Sequence, residues 1–293
     1  MAAGQGGKPA PPPPALTPPA QVGVNQQIRE RLSGVKYRII VLSGKGGVGK
    51  STVTANLAAT LAKMGYSVGV FDYDFHGPAM ARMLGVLGAQ LQAFPMGIFP
   101  VTGAAGVKVV SLAFLLPDEK TPVIWRGPLK NKALQELMSN VIWGQLDFLL
   151  FDLPPGTGDE ALNIAQNIPD VTGALVVTIP SVVSQVAVEK SAEFCKQLNV
   201  PLLGVIENMS YFRCPHCGEI TEIFGSGAGE KIAEEEGIRL LGRLPLDPNV
   251  ARCLDEGRPV PLCAPESETT RAFEELAKKL VEILEKGGEG GSG

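Results

Sequence analysis

Eight consecutive residues, Gly44-Lys45-Gly46-Gly47-Val48-Gly49-Lys50-Ser51, join four glycines to two lysines and a hydroxyl. Glycines let successive backbone N–H groups turn inward and cradle phosphate oxygens, and a helix starting just after them adds its positive dipole end. In this G-x-x-x-x-G-K-[ST] pattern Lys50 reaches the β- and γ-phosphates and the Ser51 hydroxyl holds Mg²⁺. The spacing therefore predicts a Mg–ATP site over Gly44, Lys45, Gly46, Gly47, Val48, Gly49, Lys50, Ser51 and Thr52.

Three carboxylates could serve that site. Asp72 and Asp74 follow the apolar run Val68–Phe71, placed for one to orient water and the other to help position Mg²⁺. The sequence does not divide those roles, and a strand-end aspartate can also simply cap the next helix. Asp152 ends a second apolar run, Leu146–Phe151, and leads into Leu153-Pro154-Pro155-Gly156-Thr157-Gly158-Asp159. A carboxylate there binds Mg²⁺ directly or through water. The turn after it brings backbone N–H groups near a γ-phosphate, an order–disorder switch that responds to its loss.

A different chemistry is written in Cys214-Pro215-His216-Cys217-Gly218. Two thiolates at C-x-x-C spacing can share one metal centre, but a closed site needs four ligands. The sequence has no second C-x-x-C. Two chains about a two-fold axis supply four thiolates, so a bridging 4Fe–4S cluster is one economical solution. A zinc knuckle recruiting His216 or another chain is a second, and a redox dithiol a third. Cys195, Cys253 and Cys263 read as packing residues.

The elements that must position these groups follow from hydrophobic periodicity. Arg38–Leu42, Val68–Phe71, Val107–Leu112, Leu146–Phe151, Ala174–Ile179, Leu202–Ile206 and Leu240–Leu244 read as strands. Helices are expected over Ser51–Met64, Asn131–Trp143, Val183–Leu198 and Phe273–Leu284. Alternating helices and wholly apolar strands imply an α/β fold, one mostly parallel sheet with helices on both faces. Ligands bind such sheets beyond the carboxyl ends of the strands, where the Gly-rich loop, Asp72 and Asp152 all fall. The domain is expected over 31–286, with the C-x-x-C insertion near 211–227. The Pro-rich residues 1–30 and the Gly-rich residues 287–293 are expected to be flexible tails.

Composition narrows the partners. A net charge of −4 without a Lys/Arg run argues against nucleic-acid binding. No apolar stretch approaches the roughly 20 residues of a bilayer span, and the first residues show no basic-then-apolar pattern, so no secretory signal is expected. An odd count of five cysteines fits a reducing compartment, so a cytoplasmic protein with no membrane partner is expected.

The segment around Lys45 resembles the deviant phosphate loop, GKGGVGKST, of the MinD/NifH/ParA class. More widely, Gly44–Thr52, Asp72–Pro78 (DYDFHGP), Trp125-Arg126-Gly127-Pro128, Trp143–Asp147 (WGQLD), Asp152–Asp159 (DLPPGTGD), Val205–Met209 (VIENM) and Cys214–Cys217 resemble the Mrp/ApbC family of iron–sulfur cluster carrier P-loop ATPases over residues 30–285. The resemblance implies a P-loop ATPase and homodimer in which Lys45 crosses the interface to the other subunit's phosphates. It also implies adenine contacts from Asn208 and from Pro245 and Asp247, and a labile 4Fe–4S cluster on Cys214 and Cys217 that is handed to apoproteins. Ala79 stands where the family usually has Ser. Neither the four-cysteine site of the eukaryotic scaffold branch nor the small N-terminal domain of many bacterial members is found, which points to a minimal carrier.

A MinD/ParA-like positioning or regulatory ATPase with a zinc-stabilised dimer is the alternative. Membrane forms of that class need a basic amphipathic C-terminal helix. Arg271–Lys286 carries four basic and four acidic residues, a neutral polar face. A reductase-like electron donor would take its cluster ligands from well-separated cysteines, unlike this tight pair.

Overall fold

The computed structural model describes residues 23–74, 79–115, 127–225, 227–235 and 237–289. Of the sequence features above, residues 1–22, Phe75–Pro78, Trp125, Arg126 and residues 290–293 lie outside the described residues.

In chain order the elements begin with α1 (Val24–Leu32), β1 (Val35–Leu42), α2 (Lys50–Lys63), β2 (Val68–Asp72) and α3 (Met80–Met83). A small hairpin, β3 (Gln92–Phe94) and β4 (Gly97–Phe99), precedes β5 (Val101–Thr102) and β6 (Lys108–Ser111). Then come α4 (Gly127–Asn140), β7 (Leu146–Asp152), α5 (Asp159–Gln166), β8 (Gly173–Thr178), α6 (Val182–Gln197) and β9 (Leu202–Glu207). A second hairpin, β10 (Phe212–Arg213) and β11 (Ile220–Thr221), leads to α7 (Ala228–Glu235), β12 (Leu240–Arg243), α8 (Pro248–Asp255), α9 (Val260–Cys263) and α10 (Glu268–Glu289).

Eight strands form one sheet in the order β12-β9-β8-β1-β7-β2-β6-β5, parallel except for the edge strand β5. Side chains alternate across a strand, so each strand feeds two cores. Ile40, Leu42, Phe71, Leu149, Phe151 and Val176 pack on one face with Ile28 of α1, Leu137 of α4 and Phe194 of α6. Ile39, Val41, Val70, Leu150, Leu175 and Val177 pack on the other with Val53, Leu57 and Leu61 of α2 and Phe273, Leu276, Leu280 and Leu284 of α10. Each fully buried aliphatic or aromatic side chain contributes about 1.5–3 kcal/mol.

The strand order positions the chemistry. β1, β7 and β2 are consecutive neighbours, so the loop after β1, Asp152 at the end of β7 and Asp72 at the end of β2 share one rim. Register sharpens this: Asp152 pairs with Val41 on one side and Asp72 on the other.

Two expected boundaries need correction. Residues 24–30 are not tail: they belong to α1, whose Ile28 is fully buried and whose Arg31 donates to the carbonyls of Met96 (2.8 Å) and Ser139 (3.1 Å). An apolar stripe of two residues under a polar helix was masked by the proline-rich stretch before it. At the other end α10 continues through residues 287–289, because propagating an existing helix by a turn needs no new nucleus even over glycines.

Candidate functional site

The Gly-rich loop connects β1 to α2. Gly47 and Gly49 have φ of +80° and +81°, a region that side-chain-bearing residues rarely enter. Gly49 also lacks room for a Cβ, which would strike the Asn208 amide. Gly49 is the N-cap of α2, so the first-turn N–H groups of that helix, left without intrahelical partners, face the loop. Ser43 ties the loop down: its hydroxyl donates to the Lys45 carbonyl (3.0 Å), and its own carbonyl accepts from Gly156 N–H (2.8 Å) in the Asp152–Asp159 segment.

Asp152 is the focus of the rim. It is fully buried, and a bare carboxylate there costs several kcal/mol unless it is paired. Lys50 Nζ lies 2.7 Å from Oδ2, the Ser51 hydroxyl donates to the same oxygen at 2.6 Å, and the Thr54 hydroxyl donates to Oδ1 at 2.8 Å. Asp72 stands beside it, accepting from the Ser111 hydroxyl (3.0 Å) and from the N–H groups of Asp74 (3.1 Å) and Met80 (3.2 Å). Burial foremost, then the charge of Asp152, pushes the Asp72 carboxyl up to about 7, against the opposing pull of those N–H groups and Lys50. Asp74 is half-buried just beyond. Lys45 is half-buried, and its amine has no hydrogen-bond or ion-pair partner among the described residues.

Asn208 lies on the loop itself: its side-chain amide donates to the Val48 carbonyl at 2.9 Å. Pro245 is buried, and Asp247 caps α8, accepting from Asn249 N–H (2.9 Å) while its other oxygen accepts from the Thr269 hydroxyl (2.7 Å). Leu246 N–H donates to the Tyr211 carbonyl at 2.7 Å. The Asn208 and Pro245–Asp247 segments are thus stitched together at the same end of the sheet.

The C-x-x-C pair crowns the β10–β11 hairpin. Cys214 N–H donates to the Glu219 carbonyl and Gly218 N–H to the Cys214 carbonyl, each at 2.9 Å, with Gly218 at φ +74° closing the turn. Cys214 is half-buried and Cys217 exposed. The N–H groups of Cys217 and then His216, with the Cys217 thiol, hold the Cys214 thiol below its ordinary value, favouring thiolate. Among the described residues no group of three or more His, Cys, Asp or Glu side chains could hold a metal ion, so the knuckle offers two thiolates and no third ligand.

A family model, the ParA group's NUBPL iron-transfer P-loop NTPase, matches residues 34–281. This chain belongs to the iron-transfer P-loop NTPase family. An iron-sulfur cluster carrier protein of Methanocaldococcus jannaschii is 51% identical over 259 residues, covering 88% of this chain and 89% of the relative. The cytosolic Fe-S cluster assembly factor CFD1 of Saccharomyces cerevisiae is 44% identical over 261 residues, 85% and 88% of the two chains. Among solved structures, a nucleotide-binding protein of Archaeoglobus fulgidus in complex with ADP matches with a TM-score of 0.74 and 38% identity, covering 85% of this chain and 96% of that one. The septum site-determining protein MinD of Pyrococcus horikoshii shares the fold, with a TM-score of 0.64 at 24% identity.

In this iron-transfer NTPase three features escaped the sequence. Thr54 joins the Asp152 cluster one helical turn beyond Lys50, a spacing that the loop motif does not specify. Glu207, fully buried at the end of β9, accepts from Ser210 Oγ (2.5 Å) and Gly229 N–H (2.6 Å) and faces Arg243 Nε at 3.4 Å. Its signal was an acid closing an apolar strand, as at Asp72 and Asp152. Cys253 and Cys263 were expected as separate packing residues; they form a disulfide joining α8 to α9. No spacing rule pairs two cysteines ten apart, and only the fold brings them together. Cys195 remains a buried thiol, pushed up to about 12 by burial.

Proposed function

We propose that this protein is an ATP-dependent carrier of a labile 4Fe–4S cluster, held between two copies of the chain and passed to apo iron–sulfur proteins. One observation carries this reading: a member of the iron-transfer family presents two thiols, Cys214 and Cys217, on an exposed knuckle with no third ligand among the described residues. A second copy supplies the other two thiolates of a four-cysteine site. The relatives' names as cluster carriers support the cargo.

At the rim, Gly44–Thr52 cradle the phosphates, and Lys50 leaves Asp152 for the β- and γ-phosphates. Ser51 and Asp152 are the hard oxygen donors a magnesium ion takes, and a magnesium ion held there neutralises triphosphate charge. Of Asp72 and Asp74, one orients the attacking water and the other helps to place the magnesium ion. Lys45, whose amine has no partner among the described residues, reaches the phosphates of the second copy and stabilises charge on the transferred phosphoryl group, making the chain an ATPase active as a homodimer. Asn208, Pro245 and Asp247 flank the adenine. Residues 24–289 act as one unit, with the C-x-x-C hairpin as its insertion. We place this work in the cytoplasm, as the name of the yeast relative suggests.

Anaerobic reconstitution with iron and sulfide tests the reading. About two irons per chain, absorbance near 400 nm and a dimer mass are expected, all lost in Cys217→Ser. A colourless dimer holding zinc would replace the carrier with a zinc-stabilised regulatory ATPase. Lys50→Ala should load its cluster but lose ATP-stimulated transfer to an apo-acceptor.

A further inference from the structure

Glu268, the first residue of α10, accepts three hydrogen bonds. Its Oε1 takes the Tyr211 hydroxyl (2.8 Å) and Arg213 Nη2 (3.1 Å), and its Oε2 takes Arg213 Nε (2.7 Å). The guanidinium is thus gripped as a fork, the geometry that fixes orientation as well as distance. Its remaining nitrogen, Nη1, donates to the Gly218 carbonyl at 3.0 Å. Arg213 immediately precedes Cys214 and Gly218 immediately follows Cys217. One arginine therefore spans the neck of the thiol knuckle, and one carboxylate holds that arginine.

The adjacent residue faces the other way. Thr269 is buried, and its hydroxyl holds Asp247 at 2.7 Å, while Leu246 N–H holds the Tyr211 carbonyl. Tyr211 is consequently fixed at both ends, by the Pro245–Asp247 loop through its backbone and by α10 through its ring. Three residues before it, Asn208 holds the Val48 carbonyl of the phosphate loop. Between them Met209 sits at φ +54°, a conformation that a non-glycine residue keeps only when its surroundings enforce it. The Arg213–Glu268 pair is part-exposed, 46% and 32% at the side chains, and pairs of that kind add little to stability. Its geometry is what remains to be explained.

We infer that Glu268 and Thr269 are positioning residues that join the thiol knuckle to the nucleotide-side loop, so that metal occupancy and nucleotide occupancy are linked through the first turn of α10. The inference rests on the carrier reading. Linkage is reciprocal: a nucleotide that shifts the 245–247 loop changes how the knuckle holds its metal, and the loaded knuckle changes nucleotide affinity by the same factor.

The test uses the full chain loaded with its 4Fe–4S cluster, following iron release to a ferrous chelator with and without a non-hydrolysable ATP analogue and Mg²⁺. The parent should show at least about a five-fold effect of the analogue on release. Glu268→Gln should cut the effect below two-fold while iron per chain, analogue affinity of the cluster-free protein and melting temperature stay near the parent's. Thr269→Val should cut it equally with iron per chain unchanged, but at a lower melting temperature, because a buried donor to a carboxylate is lost. Arg213→Lys, charged but without the fork, should behave as Glu268→Gln does. An undiminished effect in Glu268→Gln and Thr269→Val overturns the inference and leaves the carrier reading standing, as does a parent that holds iron without any nucleotide effect. A parent that takes up no iron removes the carrier reading itself, and the inference with it.

Discussion

Asp72 and Asp152 end neighbouring parallel strands in register, both fully buried, with Lys50 the cation 2.7 Å from Asp152. Three hydroxyl and ammonium donors converge on Asp152, whereas Asp72 has one hydroxyl and two backbone N–H groups and must share the field of its neighbour. Burial and the charge of its neighbour drive the Asp72 carboxyl towards its neutral form, whereas Lys50, Ser51 and Thr54 all turn their donors onto Asp152.

A pH dependence follows. The folded Asp72 carboxyl titrates near 7, while in the unfolded chain it titrates near 3.9. Between those values the folded state binds more protons, so its contribution to stability falls as pH rises through that window and is level above it. Burial sets this shift first and the charge of Asp152 adds to it, while the N–H groups of Asp74 and Met80 and the Lys50 ammonium oppose it. Urea unfolding of the nucleotide- and magnesium-free protein should therefore show Asp72→Asn gaining stability relative to the parent between pH 5 and 7.5. A difference that stays flat across that range would remove the raised pKa.

Thr54 provides a second test of how the rim is held. Its hydroxyl donates both to Asp152 Oδ1 at 2.8 Å and to the Lys50 carbonyl at 3.0 Å, from a fully buried position. Thr54→Val keeps the shape and removes a donor to a charged acceptor, a loss of about 1.5–3 kcal/mol. Denaturant midpoints should fall accordingly with an unchanged m-value. A change under half a kcal/mol would mean that Lys50 and Ser51 alone satisfy the carboxylate.

Gly49→Ala attacks the loop by two routes at once. At φ +81° an alanine is strained by about 1–2 kcal/mol, and its methyl would displace the Asn208 amide from the Val48 carbonyl. ADP affinity measured by calorimetry should drop at least about ten-fold, the equivalent of 1.4 kcal/mol. Asn208→Ala should reproduce part of that loss without the strain.

Much of the architecture was legible because its signals are local and repeated. β1, the glycines and α2 announce one another, and the apolar runs ending at Asp72 and Asp152 mark their own strand ends. What was hidden depends on distance in sequence. β10 and β11 are two residues each, too short to show an alternating period, so the hairpin that lifts Cys214 and Cys217 could be placed only by its cysteines. Glu207 closes β9 as Asp72 and Asp152 close their strands, but only the fold brings Ser210, Gly229 and Arg243 around it. The Glu268–Arg213 fork spans 55 residues, and nothing near either residue advertises the other.

Thiol chemistry separates the five cysteines in one measurement. Cys214 is activated and accessible, Cys217 is exposed, Cys195 is buried with its thiol pushed up to about 12, and Cys253 is bonded to Cys263. Native protein, metal-free and at pH 7.5, should take up iodoacetamide first at Cys214, then at Cys217, and nowhere else. Unfolding without reductant should expose a third thiol, Cys195, and only a reductant should release the last two. Removing the disulfide by Cys253→Ala with Cys263→Ala frees a short loop between α8 and α9, a loss of about 2–4 kcal/mol on the chain-entropy scale. Because Val260 N–H also donates to Asn56 of α2 at 2.7 Å, that loss should appear as fraying of α8 and α9 in hydrogen exchange before α2 is affected. Five alkylated cysteines in unreduced, unfolded protein would refute the bond and return Cys253 and Cys263 to ordinary packing.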